Sequence, residues 1–343
     1  MKKIQVWANF CPKKFYWELQ QLPEFASLSG KWWNHLDLMK DQLTLLKKSG
    51  VTGLRLNIFS SELTTNARTI RWQPLESFLD LAEKLNLEIH LCLGPYQYPL
   101  WPGIRLPEVL LDEKTSLKVI DGNKKWKEFG CGFLEEELKQ YGKHKNITGF
   151  YLGNEWHTTQ RIEDYSKKNM TFTISQKHME SLARLCKKFT RKPILFNTNL
   201  QPHQLKQLEH TFLSILKVLK NQAWVGFDLY PTQENFTKAP QLFIHRKLHS
   251  FSHDVESIKK EFIPRVLISE FEAQPWGDGE SWHAQITKNP VVVQSTAEQL
   301  EKTFRLFTSP KLFDQVTLWG AEFWLIAYQM GHPEMLDAVS QLG

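Results

Sequence analysis

A repeated alternation of short apolar runs with longer amphipathic stretches predicts an α/β protein built as a single (β/α)8 barrel, with long loops at the C-terminal face of its strands. Three observations carry that expectation. Eight runs rich in β-branched and aromatic residues recur along the 343 residues, with segments of period near 3.6 between them. Several of these runs are apolar on both faces, as strands are when helices cover one side and a barrel interior the other. No glycine-rich phosphate loop follows the first run, which argues against a doubly wound dinucleotide-binding sheet.

The elements follow in order. Ile4 to Ala8 reads as the first strand, and His35 to Lys48 as an amphipathic helix ended by Gly50. Gly53 to Phe59 is the second strand; a helix from Pro74 to Leu85 starts on a proline, where a missing N–H costs nothing. Glu88 to Leu93 is the third strand, followed by a helix over Lys124 to Tyr141. Ile147 to Leu152 and Pro193 to Thr198 are the fourth and fifth strands, with helices at Ser175 to Phe189 and Leu205 to Leu219. Trp224 to Tyr230 is the sixth strand, and Lys238 to Phe262 is helical. Arg265 to Phe271 is the seventh strand and Ser295 to Phe307 its helix; Val316 to Trp319 opens the eighth strand, and Pro333 to Leu342 closes the chain as a short helix. No low-complexity stretch or linker interrupts residues 1–343, so one domain is expected. The loops from Gly94 to Gly122 and from Phe271 to Ser295 are long, as loops that wall a cleft are.

Composition narrows the function. Apolar residues make up 41% and charged residues 23%, as in a soluble globular protein. The net charge of +6 is spread over helical lysines, without the dense basic run interleaved with aromatics that nucleic acid requires. The four cysteines, Cys11, Cys92, Cys131 and Cys186, have neither zinc-ligand nor disulfide-framework spacing, and no metal or other cofactor is expected. No run approaches a membrane span. The charged start lacks the apolar stretch and cleavage site of a signal peptide, so the chain as given reads as cytoplasmic, or as secreted if a signal has been removed.

Active sites of such barrels sit at the C-terminal ends of the strands, so the residues ending each strand matter most. The fourth strand ends in Asn154-Glu155-Trp156 and the seventh in Ser269-Glu270-Phe271-Glu272. The second carries Arg55 and Asn57, the third His90, the fifth Asn197, the sixth Asp228 and Tyr230, and the eighth Trp319, then Glu322 and Trp324. Two carboxylates set in apolar strands suit glycosidic cleavage, which needs a proton on the leaving oxygen and a nucleophile or activated water at the anomeric carbon. Glu155, beside Trp156, suits the acid; Glu270, with Arg55 and Tyr230 as expected partners, suits the nucleophile. Glu272 stands two residues on and would face the same way along a continuing strand. Glu270 is preferred because Gln274-Pro275-Trp276-Gly277 reads as a strand already turning into loop. Glu322 is either a substrate-binding carboxylate or a salt-bridged strand-end residue. Trp276 and Trp324 are candidate sugar-stacking platforms or loop packing. His90 reads as a barrel-lining histidine, since no second ligand stands at metal spacing.

This pattern resembles the large clan of retaining glycoside hydrolases on (β/α)8 barrels, the cellulase, β-galactosidase and mannanase type, in which strands four and seven carry the catalytic glutamates. Asn154-Glu155 matches the Asn-Glu ending of strand four, and Ile268-Ser269-Glu270-Phe271 matches the strand-seven nucleophile. Arg55, Tyr230 and Trp319 fall where the clan has helper residues. The resemblance implies Glu155 as acid/base, Glu270 as nucleophile and Asn154 as a partner of the sugar 2-hydroxyl. It also implies that Tyr230 orients Glu270 and that Trp319 forms a platform under the sugar. Gly94 to Trp101 is similar to the aromatic loop after strand three in some exo-acting galactosidases. The expected substrate is a β-linked glycoside, oligosaccharide or polysaccharide. A carbohydrate-binding barrel without catalysis and a different barrel hydrolase are the alternatives; sugar, linkage, exo or endo action and oligomeric state stay open.

Overall fold

The computed structural model describes residues 4–66, 69–94, 124–154, 160–162, 170–172, 174–198, 214–230, 265–275, 281–308 and 313–343. Eight parallel strands close into a barrel: β1 Gln5–Phe10, β2 Gly53–Leu56, β3 Glu88–Leu93, β4 Ile147–Leu152, β5 Ile194–Thr198, β6 Ala223–Leu229, β7 Arg265–Glu272 and β8 Gln315–Trp319. Each pairs with its neighbour in sequence, and β8 returns to β1 with Gln5 opposite Gln315 and Ala8 opposite Leu318. The expected barrel is thus met and the open sheet is excluded.

Among the described residues the longer helices are α1 Pro12–Leu19, α2 Leu36–Lys48, α3 Gln73–Lys84, α4 Lys124–Tyr141, α5 Gln176–Phe189, α6 Trp282–Lys288, α7 Val291–Thr308, α8 Ala321–Gln329 and α9 Glu334–Ser340. Their starts show the local chemistry. Pro74 sits in the first turn of α3, and the Ser175 hydroxyl caps α5 by accepting the His178 N–H at 3.2 Å. Two short antiparallel hairpins, Thr64–Asn66 with Thr69–Ile70 and Gln160–Ile162 with Met170–Phe172, lie outside the barrel.

Both strand faces are buried, which is why the strands read as apolar runs. Outward residues such as Ile89, Leu91, Phe150, Ile194 and Ile268 join the shell between barrel and helices. Inside, Cys92, Tyr151, Leu195 and Leu267 form a separate apolar layer. Below it the Trp7 and His90 rings pack at a tilt of 35° with centroids 4.1 Å apart, and the Arg265 guanidinium lies 4.1 Å over the Trp224 ring. Burial, then the charges of Arg265 and Arg55, push His90 down to about 3, so it is a neutral packing residue. Above the apolar layer the interior turns polar.

Some expectations need correction. The seventh strand runs one residue past the expected Phe271: β7 reaches Glu272, opposite Trp319, and the Ala273 N–H still donates to the Trp319 carbonyl at 3.0 Å before the chain leaves the sheet. Glu322 and Trp324 do not extend the eighth strand. Gly320, at φ 129°, turns the chain straight into α8, where a Cβ would lie 2.7 Å from that of Gln274. The second strand stops at Leu56 rather than Phe59. The loop after β7 carries α6, and α7 starts at Val291 instead of Ser295. The helix α1 was not expected. Of the helix expected over Leu205 to Leu219, residues 214–219 are helical; the one expected over Lys238 to Phe262 and the aromatic loop beyond Gly94 lie outside the described residues.

Candidate active site

A bulge in β7 builds the site. Phe227 pairs with Ile268, but Asp228 pairs with Glu270, so Ser269 is an extra residue on that strand. Phe271 then points outward, against Phe304 and Phe307 of α7 with centroids 5.9 Å and 5.8 Å away. Ser269 and Glu270, adjacent in sequence, therefore both reach the barrel interior. Space for this comes from Gly226: a Cβ there would stand 2.3 Å from the Ser269 Oγ.

Glu270 is 2% exposed and surrounded by donors. Arg55 Nη1 donates to its Oε1 at 2.5 Å, Asn197 Nδ2 lies 3.3 Å from the same oxygen, and the Tyr230 hydroxyl donates to its Oε2. Arg55 is itself 1% exposed, gives its second guanidinium nitrogen to Asn154 Oδ1 at 2.6 Å, and lies 4.3 Å over the Tyr151 ring. Burial is the largest influence and works to lower its pKa, but Glu270 and, to a smaller extent, Cys92, Tyr151 and Asp228 together outweigh it and hold the group well above the usual value. A permanently charged fork thus aligns a carboxylate and an amide from two other strands.

A second tier sits beside the first. Asn197 Nδ2 lies 2.6 Å from Asn154 Oδ1 and 2.8 Å from Asp228 Oδ2, and Ser269 Oγ donates to Asp228 Oδ1 at 2.5 Å. Asn57 Nδ2 donates to Asn9 Oδ1 at 2.6 Å across β1 and β2. Trp319 ends β8 on the interior face, opposite Glu272, and both are nearly buried. The structure thus brings together Arg55, Asn154, Tyr230 and Glu270, with Trp319 and Glu272 on the same rim. Glu155 follows Asn154 directly but, with Trp276, lies outside the described residues.

Two other expected site residues serve the scaffold. Trp324 is fully buried in the outer shell, and its indole N–H donates to the Ala273 carbonyl at 2.6 Å. Glu322 is 2% exposed and accepts the Cys11 N–H at 2.6 Å; burial raises its pKa. Glu18 of α1 likewise accepts the Trp282 N–H at 2.7 Å and is pushed up by burial to about 7. These carboxyls tie α1, α6 and α8 together. The Asn197, Asp228 and Ser269 network was not anticipated as a unit. Its signal was polar residues at alternate positions of apolar strands, except at Ser269, where the bulge breaks the alternation. Among the described residues no group of three or more His, Cys, Asp or Glu is placed to hold a metal ion, and no helix is long and apolar enough to cross a membrane.

A β-galactosidase LacZ of Heyndrickxia coagulans is 21% identical over 150 residues, which span 40% of this chain and 23% of that protein's length. A GH5_18 protein of Streptomyces cattleya, solved in complex with Manb1-4GlcNAc, superposes with a TM-score of 0.61 at 12% identity, over 92% of this chain and 71% of its own. A GH113 β-1,4-mannanase superposes with a TM-score of 0.55 at 13% identity, over 99% of both chains. The barrel therefore has the fold of these (β/α)8 glycoside hydrolases. The family model described as "Domain of unknown function (DUF4434)" matches residues 29–312, which contain β2 to β7 and every described donor to Glu270. By that match the chain belongs to the DUF4434 family.

Proposed function

We propose that the protein is a glycoside hydrolase that cleaves β-linked sugars with retention of configuration. The observation that carries this reading is the seat of Glu270: donors from β2, β5 and the end of β6 converge on one carboxylate at the barrel mouth. The resemblance of Asn154-Glu155 to the acid/base strand, and the fold shared with mannanases and β-galactosidases, support it.

In this mechanism Glu270 attacks the anomeric carbon while Glu155 gives its proton to the leaving glycosidic oxygen. The glycosidic bond breaks and a glycosyl ester forms on Glu270. Glu155, now a carboxylate, takes a proton from water, whose oxygen attacks the same carbon and releases Glu270. Arg55 and Tyr230 hold the nucleophile in line, since both can only donate to it in this geometry. Asn154 turns its oxygen to Arg55 and Asn197, so its amide nitrogen, which bonds to none of the described residues, is the donor for the sugar 2-hydroxyl. Trp319 offers a face to the sugar ring. Glu270 is preferred to Glu272 as nucleophile because Arg55 and Tyr230 donate to it.

The test is an assay of wild type, Glu155→Gln and Glu270→Gln on aryl β-glycosides and β-linked polysaccharides. Wild type is expected to cleave at least one, both variants to lose most of that activity, and Glu270→Ala with azide to yield a glycosyl azide of inverted configuration. Cleavage that survives both substitutions would overturn the assignment. Binding without turnover, insensitive to both, would instead favour a carbohydrate-binding barrel.

A further inference from the structure

We propose that Asp228 is a positioning residue that fixes which way the Asn197 amide faces and so, together with the Arg55 fork, presents the Asn154 N–H to the hydroxyl beside the anomeric carbon. The proposal rests on the glycosidase reading.

Asp228 is 4% exposed and straddles two strands. Its Oδ1 accepts the Ser269 hydroxyl at the β7 bulge, and its Oδ2 faces Asn197 Nδ2 at 2.8 Å. An ionised carboxylate only accepts hydrogen bonds, so the Asn197 group turned toward it must be the NH2. That NH2 then also meets Asn154 Oδ1 at 2.6 Å and Glu270 Oε1 at 3.3 Å. Asn154 Oδ1 then meets two donors, Asn197 Nδ2 and the Arg55 fork, which together hold it inward and its nitrogen outward.

One atom shows that this arrangement is imposed. Asn197 Oδ1 is buried with no hydrogen-bond partner among the described residues, a costly state for an amide oxygen. Turning the amide over would aim that oxygen at three acceptors: Asp228 Oδ2, Asn154 Oδ1 and Glu270 Oε1. Asp228 Oδ2, with the other two acceptors, holds the less satisfied orientation because the alternative sets oxygen against oxygen at three places. The same carboxylate anchors Ser269, so the amide pair and the bulge that carries Glu270 share one fixed point.

The experiment compares wild type, Asp228→Asn and Asn197→Ala on a cleaved aryl glycoside and its 2-deoxy counterpart. Asn at 228 can present either an oxygen or an NH2, which releases the constraint. Both variants are expected to lose about 100-fold in kcat/KM on the parent sugar, the scale of a misplaced contact. The loss on the 2-deoxy sugar is expected to stay below about tenfold. Equal losses on the two sugars, or none, would overturn the proposal; Asn197→Ala decides alone if Asp228→Asn does not fold. If wild type cleaves no glycoside, the glycosidase reading is what fails. The geometry is then decided by a neutron or atomic-resolution structure of Asp228→Asn, where amide hydrogens are visible. An Asn197 amide turned over relative to wild type supports the constraint, and an unchanged amide rejects it.

Discussion

Replacing Arg55 with Met tests the centre of the site without reference to any substrate. The side chain keeps an unbranched apolar stem but loses the guanidinium whose charge faces Glu270 at 2.5 Å, where the two side chains are 1% and 3% exposed. Two unit charges about 4 Å apart at an effective dielectric of about 20 attract by about 4 kcal/mol. Removing one partner of such a buried pair costs about 3–5 kcal/mol, because the other charge is left stranded. Arg55→Met is therefore expected to lower unfolding stability by that amount at pH 7, measured by urea titration. Adding Glu270→Gln should recover about 2 kcal/mol or more, since the stranded charge is gone while the Tyr230 hydroxyl keeps an acceptor. Were the two substitutions to add within about 0.5 kcal/mol, the pair would not be coupled and the account of the Glu270 seat would be wrong.

Further outcomes follow from other positions. Glu137 on α4 is buried, accepts the Gly94 N–H at 2.7 Å, and is pushed by burial from the usual 4.5 up to about 8. The folded state therefore binds more protons than the unfolded one between those values, and stability falls as pH rises through that window. Glu137→Gln should remove this slope, gaining about 4 kcal/mol relative to wild type between pH 5 and pH 9; parallel stability curves would contradict the assignment. Gly226→Ala must displace Ser269, so it is expected to cost about 1–3 kcal/mol and to depress activity; an unchanged Tm and rate would show that the bulge tolerates the methyl group. Trp324→Phe should destabilise by about 1–3 kcal/mol through the lost bond to the Ala273 carbonyl, with KM unchanged; a raised KM at constant stability would return this residue to the sugar site.

The strands were legible because burial on both faces writes itself as unbroken apolar runs, and the polar residue ending each run marked the barrel mouth. Arg55, Tyr230 and Glu270 could be paired in advance because parallel strands of known order bring their ends together. Three features resisted. The Ser269 bulge depends on room left by a glycine on the neighbouring strand, a relation between positions 43 residues apart. In α8, Ala321 to Ala327 are all buried, so the helix has no polar face to reveal its period, and Glu322 and Trp324 were read as strand residues. In α1 the signal was present: Pro12 stands at the start, and Phe15 and Leu19 are one helical turn apart and buried. Its brevity hid it beside the first strand.

The pairing of β8 with β1 separates two notions of a unit that family comparison tends to merge. The region shared with the family, residues 29–312, leaves out both Gln5–Phe10 and Gln315–Trp319. A protein cut to those limits would hold six strands in an open sheet, with β2 and β7 exposing unpaired backbone along their whole length. Such edges recruit other chains, so this piece should aggregate, although it keeps Arg55, Asn154, Tyr230 and Glu270. The span of the family match is thus narrower than the closed barrel, and gene fragments drawn to the former will mislead about the latter.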